Sequence, residues 1–198
     1  MCVRNFERNF IVNVAAIKKN DIANGVGVRV SLFVSGCRHR CKNCFNKEAW
    51  DFNFGEKFTA ETMEEIMSAL DKDFVSGLTI LGGEPFEDEN LDGVLSVVKE
   101  CRSRFPQKNI WCYTGFDFVS DFLNGSGERH QKITDILGYI DVLVDGKFIE
   151  EKKDLSLLFR GSSNQNIIDV KKSLAENKLV LLGGKWKRTP GSGDIYEI

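Results

Sequence analysis

The chain has 198 residues, of which 42% are hydrophobic and 28% charged, a length and composition that suit one globular domain. Its formal net charge of −2 excludes a generally basic surface for binding nucleic acid. The apolar run over 10–17 is too short to span a membrane, and no small-residue cleavage site follows it. We therefore expect a cytoplasmic protein that binds neither nucleic acid nor membranes. Thiols stay reduced in that compartment, so its cysteines favour metal binding or catalysis over disulfides.

The first half of the chain predicts two strands and two helices. A strand is expected over 28–34, where valine or leucine occupies every second position. A helix is expected over 60–70, where Thr59 is a candidate N-cap and apolar side chains recur at i, i+3, i+4 and i+7. A second strand over 77–81 and a second helix with an apolar face over 91–101 follow.

The second half continues the alternation with a strand over 109–113, a helix over 133–140 and a strand over 141–144, and weaker strand signals lie at 166–170 and 178–182. Strands that alternate with helices predict an α/β fold with a parallel sheet and right-handed crossovers. Four clear βα units, in a chain shorter than the roughly 250 residues of a complete eight-stranded barrel, indicate a partial (βα) barrel.

Each of the four clear strands runs directly into a loop with chemically distinctive residues. The loops are GCRHRCKNCFN at 36–46, GGEP at 82–85, TGF at 114–116 and DGKF at 145–148. Because ligands bind at the carboxyl edge of parallel strands, we expect these four loops to face one cavity although they are far apart in sequence.

The first loop contains three cysteines, Cys37, Cys41 and Cys44, in the spacing C-x3-C-x2-C. Three thiolates can bind three corners of a cubic iron–sulfur cluster and leave the fourth iron open to a substrate. A zinc site with His39 as the fourth ligand is the alternative, although two-residue spacings to Cys37 and Cys41 are awkward for a tetrahedral site. We expect His39 to be solvated instead.

Three basic residues lie between the loop cysteines: Arg38, Arg40 and Lys42. They are expected to favour thiolates and to offset the negative charge of a cluster, unless they are ordinary surface residues. The other three cysteines, Cys2, Cys101 and Cys112, are expected to be structural or incidental.

The segment 24–46, NGVGVRVSLFVSGCRHRCKNCFN, resembles the signature region of radical S-adenosylmethionine (SAM) activating enzymes. GGEPF, IWCYTGF, IDVLVDGKF and RGSSNQNIID follow in that family's order, and the last two are similar to motifs of the activases of anaerobic, class III ribonucleoside-triphosphate reductase. The resemblance covers about 24–169. It implies a single radical SAM domain over 1–198 with its core in this range. The N-terminal extension and the residues after Asp169 have no counterpart in the family, and the polar, glycine-containing composition of the tail from Gly183 predicts loose order.

The resemblance implies one [4Fe–4S] cluster per chain, held by Cys37, Cys41 and Cys44, with the amino and carboxylate groups of SAM on the open iron. It also implies that the reduced cluster cleaves SAM to methionine and a 5′-deoxyadenosyl radical, which makes the protein an oxidoreductase. The implied protein substrate is the anaerobic reductase, on which a glycyl radical forms, and the implied electron donor is a flavodoxin-type protein.

By matching position in the family, Asn43, Cys44 and Phe45 would border the adenosyl part of SAM through their backbone. Gly82 and Gly83 would pass its methionine end, since glycine lets a backbone approach a ligand closely. The alternatives are that GGEP is only a turn and that Phe45 is a core aromatic.

Three further residues are weaker candidates. Asp145 and Lys147 are expected to reach the same cavity and steady SAM or the reductase's glycine loop, and Arg160 could hold a carboxylate or contact the partner. A polar turn or surface loop is the alternative for each.

Two other functions stay open on the sequence. One is activation of another glycyl-radical enzyme of the pyruvate formate-lyase type, against which the RGSSNQ motif argues. The other is a non-catalytic zinc- or cluster-binding module, which would leave GGEP and its place at the sheet edge unexplained.

Overall fold

The computed structural model describes residues 12–184 of the chain. The first eleven residues with Cys2, and the tail beyond Gly184, lie outside this range, so the expectations for them are not compared. The described strands are β1 (Asn13–Asp21), β2 (Val28–Val34), β3 (Glu56–Lys57), β4 (Val75–Gly82), β5 (Asn109–Tyr113), β6 (Val142–Asp145) and β7 (Asn166–Asp169). The described α-helices are α1 (Ala60–Leu70), α2 (Leu91–Arg104), α3 (Gly127–Leu137) and α4 (Val170–Glu176).

The seven strands form one sheet in the order β3-β1-β2-β4-β5-β6-β7. The four middle strands, β2, β4, β5 and β6, are parallel to their neighbours within this group. Antiparallel strands flank them, with β1 and β3 on one side and β7 on the other. The α/β class is therefore confirmed with a mixed sheet that is parallel in its middle, and its closure into a partial barrel stays a prediction.

The predicted elements agree with the structure where the local signal is strong. Helix α1 begins after Thr59, whose side chain accepts a hydrogen bond from the Thr62 N–H at 3.3 Å. The sequence missed β1, which contains the described part of the apolar run over 10–17, as well as α4 and a π-helix over 118–123. The weak strand predicted over 178–182 is not a full strand in the structure. It forms one isolated antiparallel bridge, in which Leu181 pairs with Ile168 of β7.

The two faces of the sheet are covered differently. On one face, strand residues such as Leu78, Ile80 and Ile110 are fully buried in one cluster with the apolar sides of α1, α2 and α3. On the other face a smaller cluster around Trp111 packs against loop residues such as Phe159. Loops rather than helices therefore cover the second face.

The helices within residues 12–184 are short, and none of them is long and apolar enough to cross a membrane.

Candidate iron–sulfur site

The four loops at the carboxyl ends of the parallel strands are joined by hydrogen bonds. The Glu84 N–H donates to the Gly36 carbonyl at 2.8 Å, which connects GGEP to the cysteine loop. The Thr114 hydroxyl donates to the Glu84 carboxylate at 2.9 Å, and the Gly146 N–H donates to the Phe116 carbonyl at 2.9 Å. The predicted convergence of the four loops at one edge is confirmed. Of the four, the cysteine loop and DGKF line the cavity described below, whereas GGEP and TGF do not.

Glu84 is the centre of this network and is only 1% exposed. One carboxylate oxygen accepts from the Phe86 N–H and the Thr114 hydroxyl, each at 2.9 Å. The other accepts from the Gly115 N–H at 2.7 Å and lies 2.9 Å from His39 Nε2. A buried carboxylate requires such compensation, and here the compensating groups come from three of the four loops.

Sequence reasoning singled out the glycines of GGEP and missed Glu84. The only signal in the sequence is a carboxylate placed between a buried strand and Pro85, where a charged side chain has little access to water.

His39 is held inside the protein and is not solvated as expected. Its side chain is 10% exposed, its ring packs edge-on against Phe116 with centroids 4.6 Å apart, and Nε2 pairs with Glu84. Gly115 leaves room for the ring, because a Cβ there would overlap His39. The expectation was wrong because the partner of His39 lies 45 residues further along the chain.

The zinc alternative needs His39 as its fourth ligand. Between residues 12 and 184, no three His, Cys, Asp or Glu side chains, the loop cysteines included, are grouped to hold a single metal ion, so this grouping does not separate zinc from a cluster. The pairing of His39 with Glu84 occupies the ring nitrogen that a zinc ion would need on that side.

The three loop cysteines are free thiols that differ in burial: Cys37 is buried, whereas Cys41 and Cys44 are partly exposed. The Cys44 N–H donates to the Cys41 carbonyl at 3.1 Å, and Asn43 adopts a left-handed φ of 56° in the turn between them. Burial raises the pKa of Cys37 to about 11 and also raises the pKa of Cys41. The thiols would therefore release protons when they bind iron.

Two of the three basic residues of this loop are paired with acidic residues, whereas Arg40 lies over the Trp50 ring, 5.6 Å from its centroid. Arg38 forms ion pairs with Glu87, at 2.6 Å, and with Glu89, and Lys42 lies 3.0 Å from Glu151. Burial raises the pKa of two of the three thiols, and the charges of Arg38, Arg40 and Lys42 are not among the causes that oppose it. That these residues favour thiolates or offset the charge of a cluster stays a prediction.

A cavity of about 490 Å³ borders the cysteine loop on the second face of the sheet. Asn43, Phe45 and the two partly exposed cysteines line one side of it, and Leu81 and Tyr113 at the ends of β4 and β5 line its floor. Phe45 is 84% exposed, so it is not a core aromatic. The volume lies in the range of ordinary small-molecule sites.

Gly82 and Gly83 approach neighbouring backbone. Gly82 has a φ of 117°, and a Cβ there would come within 2.6 Å of the Val34 carbonyl oxygen. A Cβ on Gly83 would overlap the carbonyl oxygen of Gly36. Both glycines are therefore needed to seat GGEP against β2 and the cysteine loop, and a role toward SAM stays a prediction.

The three weaker candidates have different environments. Asp145 is 1% exposed and accepts hydrogen bonds from the Phe118 N–H at 3.0 Å and the Asn166 side chain at 2.9 Å. It therefore does not reach the cavity as expected, because these partners hold it in the core. Lys147 is exposed to solvent, whereas Arg160 lines the cavity.

Comparison with known proteins identifies the family. The family described as "4Fe-4S single cluster domain" matches residues 23–168. Curated relatives named "Anaerobic ribonucleoside-triphosphate reductase-activating protein" include one from Enterobacteria phage T4, 37% identical over 79% of this chain and 93% of the relative. Those of Vibrio cholerae and Escherichia coli K12 are each 41% identical, over 74% and 73% of this chain and 91% and 90% of the relatives. The chain belongs to this family of reductase-activating proteins.

The family match confirms the resemblance seen in the sequence. All three loop cysteines, GGEP, TGF and DGKF lie within the matched residues. A 4Fe–4S domain also supports the cluster type that the three-cysteine spacing predicted.

Proposed function

We propose that this chain is an iron–sulfur, SAM-dependent activase that generates a glycyl radical on anaerobic ribonucleoside-triphosphate reductase. The observation that carries the proposal is the match to reductase-activating proteins over about three quarters of the chain, including the cysteine loop. The cavity beside that loop gives the activity a place to occur.

The donor set fits a [4Fe–4S] cluster with one open iron. Cys37, Cys41 and Cys44 supply three soft thiolate ligands on one loop. Cys101 and Cys112 are fully buried, one in α2 and the other in β5, so neither is a fourth ligand at the cavity. We therefore propose one cluster per chain with three cysteine ligands.

The residues that line the cavity support the proposal that SAM binds beside this cluster. The exposed ring of Phe45 offers a flat apolar surface for the adenine, next to the backbone of Asn43 and Cys44. Gly82 and Gly83, which seat GGEP against β2 and the cysteine loop, would pass the methionine end of SAM through their backbone. Such a cluster would supply the electron that cleaves SAM to methionine and an adenosyl fragment, and that fragment would take one hydrogen atom from a reductase glycine, which gives 5′-deoxyadenosine and a glycyl radical.

The protein's own residues hold this site in place. Glu84 ties three of the loops together, so the cysteine loop keeps its position relative to the floor of the cavity. The buried side chains of the sheet exclude water from below.

We propose a flavodoxin-type reductant and a cytoplasmic location, in which the thiols stay reduced.

We also propose that residues 1–198 form one domain whose sheet curves as a partial barrel. That all seven described strands belong to one sheet supports the single domain.

Anaerobically purified protein tests the function. Iron and sulfide should be present in equal amounts, and with dithionite and SAM the protein should form 5′-deoxyadenosine and methionine. With the reductase added, electron paramagnetic resonance should show a carbon-centred radical on that partner. Deuterium at the glycine Cα should move into 5′-deoxyadenosine.

Two results would separate the alternatives. SAM cleavage without a radical on the reductase, but with one on pyruvate formate-lyase, would contradict the assignment of the reductase as the substrate. Zinc without sulfide would support the metal-binding module.

A further inference from the structure

Two hydrogen-bond donors in the cavity have no partner. The phenol oxygen of Tyr113 and the Nε of Arg160 are both buried, and neither forms a hydrogen bond with any described residue. Arg160 also makes no ion pair within residues 12–184. Buried polar groups are almost always paired, so two unpaired donors lining one cavity point to a ligand that supplies acceptors.

The backbone directs Arg160 to this position. Phe159, the preceding residue, has a φ of 58°, a left-handed conformation that is uncommon for an aromatic residue. Its ring packs edge-on against Trp111 with centroids 5.5 Å apart, which keeps the conformation in place. Strain of this kind is often found at binding sites, since the fold must compensate for it.

The RGSSNQ loop that follows is held against the DGKF loop. Gln165 accepts from the Gly161 N–H at 2.8 Å and donates through Nε2 to the Gly146 carbonyl at 2.9 Å. The Gln165 carbonyl accepts from Arg160 Nη1 at 2.7 Å, and the Asn164 amide donates to the Lys147 carbonyl at 2.9 Å. The guanidinium is therefore positioned before any ligand arrives, which reduces the entropy cost of binding.

Both groups carry a proton that they can donate in this environment. Burial raises the pKa of the Tyr113 phenol far above its ordinary value, so it keeps its proton at neutral pH. Burial lowers the pKa of Arg160, which Asp154 partly opposes, and the guanidinium stays charged. A neutral O–H and a charged N–H fork together match oxygen acceptors.

We propose that Arg160 and Tyr113 form a binding site for an oxygen-acceptor group, a carboxylate or a peptide carbonyl, that enters this cavity. The inference rests on the proposed function, which supplies two sources of such oxygens. One is the methionine carboxylate of SAM, and the other is the reductase segment that carries the reacting glycine.

Three variants of the full chain with its cluster reconstituted test the site: Arg160→Gln, Arg160→Lys and Tyr113→Phe. Each is assayed for SAM affinity by anaerobic equilibrium dialysis without reductase, and for the KM of the reductase in radical formation. We expect Arg160→Gln to weaken one of the two ligands about tenfold or more, since a charged hydrogen bond is lost. Arg160→Lys should be intermediate, because an ammonium keeps the charge without the fork.

The two assays distinguish the source of the acceptor. A raised dissociation constant for SAM assigns the site to SAM, whereas unchanged SAM affinity with a raised reductase KM assigns it to the reductase segment. Arg104→Gln, which alters a surface arginine paired with Glu64 and Glu100, is the matched control and should change neither.

Iron content and the electron paramagnetic resonance spectrum of the reduced cluster should equal those of the wild type in all variants. Unchanged SAM affinity and reductase KM in both Arg160→Gln and Tyr113→Phe would overturn the inference. Failure of the wild type itself to activate the reductase would instead contradict the proposed function.

Discussion

Two buried charged side chains lie at opposite ends of the same parallel strands. Glu84, at the carboxyl edge, accepts hydrogen bonds from loops that surround the candidate site. Arg29, near the amino ends, is 0% exposed and donates to the Thr79 hydroxyl at 2.6 Å, the Leu78 carbonyl at 2.6 Å and the Asn109 side chain at 2.7 Å. Both are fully compensated, but the first organises loops and the second joins strands.

Arg29 achieves this compensation without a carboxylate. It forms no ion pair with the described residues, its guanidinium lies 5.5 Å from the Trp111 ring centroid, and burial lowers its pKa to about 10. The difference shows that a buried charge is not by itself a sign of a functional site. A buried charge indicates a functional site when it lies at the carboxyl ends of the strands, because the loops at that edge form ligand sites.

The largest expected effect lies at the carboxyl edge. Cys37→Ala, Cys41→Ala or Cys44→Ala should each abolish cluster assembly while the protein remains folded, because three ligands leave no replacement. Iron content and circular dichroism measure the two effects. Cys112→Ala, which alters a buried thiol in β5, should retain full iron. An equal loss of iron in Cys112→Ala and Cys41→Ala would contradict the ligand assignment.

Glu84→Gln should impair both function and stability. The amide places an NH₂ group against two donors, either Phe86 and Thr114 or Gly115 and His39. We expect a loss of about 1–3 kcal/mol in the free energy of unfolding and a fall of tenfold or more in 5′-deoxyadenosine formation.

The control for this variant is Glu64→Gln, since Glu64 is an exposed residue of α1 that pairs with Arg104 and not with the cysteine loop. Wild-type rates in Glu84→Gln would show that the network is not needed to position the site.

Arg29→Met should have the converse effect. It removes the donors that satisfy buried strand acceptors, so we expect unfolding to become easier by about 3–5 kcal/mol. Urea denaturation of the metal-free protein measures this. Iron per folded molecule should stay unchanged. A loss of iron without a loss of stability would contradict the conclusion that Arg29 stabilises the sheet and does not serve the candidate site.

The smallest expected effect is a pH dependence at Asp141, which also lies near the amino ends. Burial raises its pKa, but hydrogen bonds from Lys171, Arg102 and the Ile110 N–H outweigh burial and leave it below its ordinary value. A carboxylate with a lowered pKa stabilises the fold above its unfolded pKa, near 4, and this contribution is lost as the pH falls through the folded value.

Asp141→Asn should therefore lose about 1–2 kcal/mol of stability at pH 7, and the difference from wild type should shrink below about pH 4. Denaturation at several pH values measures it, with Asp135→Asn on α3 as the control. A difference that does not change with pH would mean that the Asp141 charge contributes nothing.

Local sequence patterns predicted the four parallel strands, the helices between them, the cysteine loop and the edge of the sheet on which the site lies. These depend on local signals: the alternation in β2, the Thr59 cap of α1, and the close spacing of Cys37, Cys41 and Cys44. The parallel order then follows from alternating strands and helices, which is why loops distant in the sequence could be placed together correctly.

Only the tertiary structure decided which polar residues meet. Glu84 pairs with His39, 45 residues earlier, and with Thr114, 30 residues later, while Arg38 pairs with Glu87 and Asp145 turns toward Asn166 rather than the cavity. No local period encodes such pairs. They form because burial removes water from each group and leaves the nearest polar side chain, whatever its place in the chain, as its partner.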